Sequence, residues 1–269
     1  MTRAEQIAEA LKDVLARIAE ATARAGRPAN SVRLIAVSKK MPADDVRAAL
    51  AAGQRDFGEN YAQELRDKRA ALHELPVTTA ANLTAREGTT AASTDEAEGD
   101  ASRHIEPRWH YLGPIQNNKV KYLAGQVALI HSLDDAAILG EIDRRAAAVQ
   151  AGAGGRQACL VQVNIAGEAR KGGVPPNKLS TLLDRFATTT HAACTGLMLI
   201  PPMTGDAVAT RGHFAALRAL AEREQATPRP NVSLTELSMG MSGDFVDAIA
   251  EGATMVRVGT AIFGARPAR

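Results

Sequence analysis

Short apolar runs alternate with longer helical patterns from the first residues of this chain to the last. Residues 1–26 are rich in alanine, but Arg3, Glu5, Glu9, Lys12, Asp13 and Arg17 break the apolar positions at helical spacing, which predicts an amphipathic helix. A strand follows at 32–38. Next comes a helix from Pro42, suited to a first turn, to Gly53, suited to a C-terminal cap. Asp56-Phe57-Gly58 reads as a second strand, ahead of a charged helix at 61–72. Further strands are expected at 109–112, 128–133, 158–165, 194–200, 233–237 and 255–258. The run at 158–165 is nearly continuous in apolar residues, as a strand covered on both faces should be. Helices are expected through 118–123, from an N-cap at Asp134 to 150, and at about 177–189, 206–226 and 243–252.

Eight β/α units in 269 residues predict one α/β domain over 1–269, a (β/α)8 TIM barrel with an extra N-terminal helix. A doubly wound sheet is the rival, and it normally closes with fewer strands at this length. In a barrel, Lys39, Glu59, Asn60, Gly113, Asn164, Pro201, Ser238 and Gly259 all fall at C-terminal strand ends, the rim on which barrel sites are built. The stretch 77–106 has no sustained hydrophobic period and many small polar residues, which predicts a mobile insert carrying no chemistry.

Composition then removes several classes. Hydrophobic residues make up 45% of the chain, enough for a real core. The 32 basic and 30 acidic residues leave a net charge of +2, which advertises neither nucleic acid nor membrane binding. Cys159 and Cys194 lie inside apolar runs and read as small core residues in a reducing compartment. No apolar run approaches a membrane span and the first 26 residues lack a signal peptide's continuous apolar stretch, so a cytoplasmic location is expected. The six histidines show no metal-ligand spacing, and no metal site is expected.

Two distant segments carry the candidate chemistry. Val37-Ser38-Lys39 puts a lysine at a strand mouth, where neighbouring cations or desolvation free its amine for an aldehyde. Leu237-Ser238-Met239-Gly240-Met241-Ser242-Gly243 and Val256-Arg257-Val258-Gly259-Thr260 supply glycines for close backbone approach, hydroxyl donors and an arginine. An imine-forming amine with a phosphate cradle is what pyridoxal 5′-phosphate (PLP) requires, and a barrel phosphosugar aldolase uses the same pairing. Arg257 is placed to meet a ring nitrogen or a phosphate. Asn60 and Asn164 either orient a ring hydroxyl or cap a strand, and His110 alone fits a hydrogen-bonded core histidine better than a catalyst.

Ala36-Val37-Ser38-Lys39, Phe57-Gly58-Glu59-Asn60-Tyr61, the run from His110-Tyr111-Leu112-Gly113-Pro114 to Asn117-Asn118-Lys119, Gly196-Leu197-Met198 and the two C-terminal segments together resemble the pyridoxal phosphate homeostasis protein family. The resemblance spans about 31–266 apart from the 77–106 insert. It implies the barrel of alanine racemase without that enzyme's second domain, and a non-catalytic protein of intracellular PLP homeostasis. It also implies that Lys39 holds PLP as an aldimine, that Ser238 or Ser242 with Gly259 and Thr260 holds the phosphate, and that Arg257 approaches the pyridine nitrogen. Asn60 and Met239 would line the pocket, and Lys171 matches a lysine near the mouth that helps release the cofactor. The family's usual Ser-Lys-Thr-Lys-Pro reads Ser38-Lys39-Lys40-Met41-Pro42 here, which moves the second lysine to the opposite strand face. The expected partners are PLP, other B6 vitamers and, transiently, PLP enzymes, with the protein a monomer. A racemase-like PLP enzyme is the alternative, but its second base comes from the absent domain and only Tyr61, Tyr111 and Tyr122 exist here.

Overall fold

The structure, a computed structural model, describes residues 1–73, 106–149, 155–168, 171–202 and 205–265. Eight parallel strands close into a barrel in sequence order: β1 (Arg33–Val37), β2 (Asp56–Glu59), β3 (Arg108–Tyr111), β4 (Leu129–Leu133), β5 (Gln157–Gln162), β6 (Ala192–Met198), β7 (Val232–Ser238) and β8 (Met255–Val258). The barrel shuts where β8 pairs with β1, Ile35 opposite Arg257 and Ala36 opposite Val258. The expected TIM barrel is therefore the observed fold.

Strand periodicity sorts the side chains into two cores. Ile35, Leu129, Leu160, Met198 and Met255 form a small apolar layer inside the barrel. Their neighbours, among them Leu34, Phe57, Trp109, Ile130, Val161, Leu197 and Val256, face outward and pack beneath the helices in one large cluster. Two residues along each strand from the inner layer lie Val37, His131, Gln162 and Arg257, so the interior turns polar as it approaches the rim.

Helices α1 (Arg3–Arg24), α2 (Ala43–Ala51), α3 (Ala62–His73), α4 (Ala136–Val149), α5 (Leu179–Arg185), α6 (Ala207–Gln225), α7 (Phe245–Ala250) and α8 (Thr260–Phe263) wrap the outside. The extra helix α1 opens with a capping box, Thr2 accepting from the Glu5 N–H while Glu5 accepts from the Thr2 N–H. It buries Ile7, Leu11, Val14 and Ile18 against α2, α7 and α8. That face packs on the helices that follow β1, β7 and β8.

Several boundaries differ from the sequence expectation. The helix at 118–123 is a 3₁₀ segment over Asn117–Tyr122. The cap of α4 is Asp135, whose Oδ1 accepts from the Ala137 and Ile138 N–H groups at 2.7 and 3.0 Å. Asp134 instead accepts from the Gly173 N–H at 2.8 Å, because the chain needs one more residue to leave β4 before it can turn. The strand expected at 158–165 stops at Gln162. Beyond it, Asn164 folds back on its own loop, its side-chain amide donating to the Glu168 and Lys171 carbonyls. The short helix α8 had no sequence signal. The insert expected at 77–106 lies outside the described residues except for Glu106.

Cys159 and Cys194 are both buried among apolar neighbours. Burial pushes the Cys194 thiol up to about 12 and the Cys159 thiol further in the same direction. Neither should react with a maleimide at pH 7 in the folded protein, and both should react in denaturant; mass spectrometry of the labelled chain counts the adducts.

Candidate functional site

The turn after β1 is held by a buried charge cluster. Ser38 continues the ladder, its N–H donating to the Gly58 carbonyl at 3.0 Å, and half-buried Lys39 follows it. The Ser38 hydroxyl donates to Glu59 Oε1 at 2.7 Å. Lys68 Nζ, from α3, donates to the Ser38 carbonyl at 2.6 Å, to Glu59 Oε1 at 2.6 Å and to Glu64 Oε1 at 2.8 Å. Glu64 in turn accepts the Lys40 N–H at 2.5 Å. The residues on both sides of Lys39 are thus tied to one cluster. Lys40 sits at φ +63° in an exposed turn closed by Met41 N–H on the Ser38 carbonyl, so strand alternation does not govern where its side chain goes. Burial raises the Glu59 carboxyl above its ordinary value despite the ammonium of Lys68 beside it. Glu59 Oε2 is buried with no hydrogen-bond partner among the described residues.

Across the seam, β8 delivers the second set. A Cβ on Gly259 would lie 3.0 Å from the Val37 carbonyl oxygen, so glycine lets the end of β8 close against β1 two residues before Lys39. Thr260 then opens α8, exposed at the rim. The Arg257 N–H donates to the Gly240 carbonyl at 3.0 Å, and the Met239 N–H to the Met255 carbonyl at 3.1 Å, which joins the β7–α7 loop to β8. Met239 is buried, while Ser242 is half-buried on that loop. The Arg257 guanidinium is buried, donating from Nη1 to Ser238 Oγ at 2.7 Å and from Nη2 to the Leu199 carbonyl at 2.8 Å. Desolvation lowers its pKa to about 10.

All eight sequence-nominated residues lie at the ends of four consecutive staves. Ser238, Met239 and Ser242 follow β7, Arg257, Gly259 and Thr260 belong to β8 and its exit, Lys39 follows β1 and Asn60 follows β2. Asn60 is half-buried, and its backbone carbonyl lies so near Gly113 that a Cβ there would come within 1.9 Å. Ser238 differs from the rest. Its hydroxyl is fully buried between Arg257 and His131 Nδ1, 2.8 Å away, so it sits beneath the guanidinium. Lys171 is on another part of the rim, paired with Glu168 and donating to the Pro201 carbonyl at 2.9 Å. Among the described residues no group of three or more His, Cys, Asp or Glu is arranged to hold a metal ion.

Beneath the rim, His131 Nε2 meets His110 Nδ1 at 2.9 Å, and His110 Nε2 meets Asp56 Oδ1 at 2.9 Å. Arg108 donates to the other Asp56 oxygen at 2.6 Å. His110 is the buried hydrogen-bonded residue expected from sequence, but His131 was passed over; its signal was a polar residue two places after Leu129 on a barrel strand. Lys68 was also passed over, as one charge among many in α3. A cavity of about 550 Å³, lined by Arg66, Arg69, Arg108, Tyr122 and others, opens near the N-terminal end of β3; none of the eight nominated residues lines it.

Comparison with known proteins gives a consistent result. Residues 10–267 match the family described as alanine racemase, N-terminal domain. The pyridoxal phosphate homeostasis protein of Pseudomonas aeruginosa is 40% identical over 260 residues, 97% of this chain and 96% of that protein. The protein of the same name from Aquifex aeolicus is 38% identical over 258 residues, 96% of this chain and 97% of its own. Among solved structures, PipY of Synechococcus elongatus with PLP bound superposes with a TM-score of 0.73 at 35% identity, covering 96% of this chain and all of that one.

Proposed function

The chain belongs to the pyridoxal phosphate homeostasis protein family, and from that premise we propose that it binds PLP through Lys39 and carries it without turning over a substrate. The observation that carries this reading is the gathering of amine, buried arginine and glycine-lined loop on four adjacent strand ends. PipY, a structural relative, holds PLP. When bound, PLP supplies an aldehyde that an amine can capture and a ring that withdraws electrons.

Each residue then has a part that fits its setting. Lys39 supplies the amine from a turn braced on both sides. Ser242, Gly259 and Thr260 offer hydroxyl and backbone N–H donors to the phosphate. Asn60 and Met239 line the sides. Arg257 would approach the ring nitrogen with a group that only donates hydrogen bonds, which would leave that nitrogen unprotonated and the ring a weak electron sink. This favours holding over catalysis. The tyrosines add no clear second base: Tyr111 donates to the Pro114 carbonyl and burial pushes it up to about 12, Tyr122 stacks with Lys121 and Arg66, and Tyr61 is half exposed. Among the described residues no helix is long and apolar enough to cross a membrane. We further propose that the protein acts as a cytoplasmic monomer, accepts other B6 vitamers more weakly, and meets PLP enzymes transiently.

The test is the visible spectrum of the purified protein reconstituted with PLP, before and after borohydride. A band that borohydride removes, with the phosphopyridoxyl mass found on the peptide containing Lys39, is the expected result. Lys39→Ala should abolish the trapped adduct. A wild-type protein that gives no band at saturating PLP overturns the reading, and trapping on another lysine overturns the assignment of Lys39.

A further inference from the structure

Five hydrogen bonds run through the barrel interior from Arg108 to Arg257, linking Asp56, His110, His131 and Ser238 in turn. Chemistry fixes their direction from both ends. Burial alone would push the Asp56 carboxyl up, but hydrogen bonds from His110 and Arg108 outweigh it and hold Asp56 below its ordinary value. Ionised Asp56 can only accept, and Arg257 can only donate. Burial also lowers both histidines below 6.5, His131 well below, so each is neutral with one N–H. His110 must therefore donate from Nε2 to Asp56, which leaves its Nδ1 as an acceptor. His131 fills that acceptor from its own Nε2–H, which leaves His131 Nδ1 to accept the Ser238 hydroxyl proton. Ser238 Oγ then has its lone pairs turned to Arg257 Nη1. Every link donates toward Asp56.

We propose that Asp56, His110, His131 and Ser238 form a one-way hydrogen-bond chain that positions the Arg257 guanidinium, making His131 and Ser238 positioning residues for the ring that Arg257 faces. Aligned bonds of this kind polarise one another, and a buried carboxylate at the far end favours the cation at the near end. The chain also decides between the two serines: Ser238 acts through Arg257, and the phosphate falls to Ser242, Gly259 and Thr260. The ring-positioning part rests on the PLP reading above; the direction of the chain does not.

Two measurements test it separately. In the protein without cofactor, long-range ¹H–¹⁵N spectra of the histidines should show His110 and His131 neutral and both as Nε2–H tautomers at pH 7. An Nδ1–H tautomer at either position overturns the one-way chain. In the loaded protein, Ser238→Ala and His131→Phe should each weaken PLP binding about tenfold, the scale of one buried hydrogen bond lost. The double variant should be no weaker than either single one, since both break the same chain. Ser238→Thr, which keeps the hydroxyl, should stay within about twofold. Pyridoxal, which lacks the phosphate, should lose affinity by the same factor as PLP in each variant. If Ser238→Ala weakens PLP and leaves pyridoxal unchanged, Ser238 is a phosphate ligand and the proposal falls. If His131→Phe does not fold, Ser238→Ala and the tautomers still decide it. Failure of wild-type protein to bind PLP sinks the carrier reading, while the spectra of the cofactor-free protein continue to judge the chain.

Discussion

Replacing Lys68 with methionine should destabilise the protein by about 3–5 kcal/mol, the usual cost of removing one partner from a buried ion pair. The side chain of Glu59 is fully buried, and its Oε1 is held by Ser38 and Lys68. Without the ammonium, the carboxylate keeps one neutral hydrogen bond and must take up a proton or draw in water. Methionine fills much of the space, so little of the loss comes from a cavity. Urea unfolding at pH 7 measures the change. Lys68→Met combined with Glu59→Gln should recover more than half of the loss, because the stranded charge goes with the second substitution. A loss under about 1 kcal/mol in the single variant would show that the cluster behaves as an exposed pair. The same variant should also weaken cofactor capture at Lys39, since the Ser38 carbonyl and the Lys40 N–H lose the frame that fixes the turn.

Stability should fall by about 2 kcal/mol between pH 7 and pH 5, driven chiefly by the buried His131. Both folded pKa values lie below 6.5, His131 well below, so the folded state leaves His131 neutral where the unfolded chain protonates it, and His110 adds in the same direction. The unfolded state binds more protons, and stability rises with pH through this window. One such proton contributes a slope approaching about 1.4 kcal/mol per pH unit. Glu59 works in the other direction, because its raised pKa lets the folded state bind a proton first as pH falls. Asp56, held low, adds to the loss only below its ordinary 3.8. Urea unfolding at half-unit pH steps reads the slope directly. His131→Phe should reduce it by one proton equivalent, and a flat profile from pH 7 to 5 would mean the dyad is charged or solvated in the fold.

The order of the eight strands was legible because short apolar runs alternate with helical patterns along the chain. Strand β8 was located to the residue, and Lys39, Arg257 and Gly259 fell at the expected rim. What escaped was set by contacts across the fold. Lys68 stands four residues after Glu64 in a charged helix, a spacing that ordinarily marks a solvated pair; only the packing of α3 over the β1 turn buries it. His131 lay in a run read as apolar, and nothing local says that its ring meets His110 from the neighbouring strand. Ser238 and Ser242 were equivalent in sequence. They separated only when β7 carried one into the barrel and its exit loop kept the other half-buried at the rim. The exchange of Asp134 for Asp135 as the cap of α4 has the same origin, since both aspartates cap equally well until the β5 loop claims the first.

The closing of β8 onto β1 also imposes an order in time. Lys39 leaves the ribosome well before the Gly259–Thr260 segment, and until both have emerged the barrel lacks its final stave. On the carrier reading proposed above, a chain that has made β1 but not β8 would offer the amine without the segment assigned to the phosphate. Selective loading would then wait for the barrel to close, and the seam that completes the fold would also serve as its quality check.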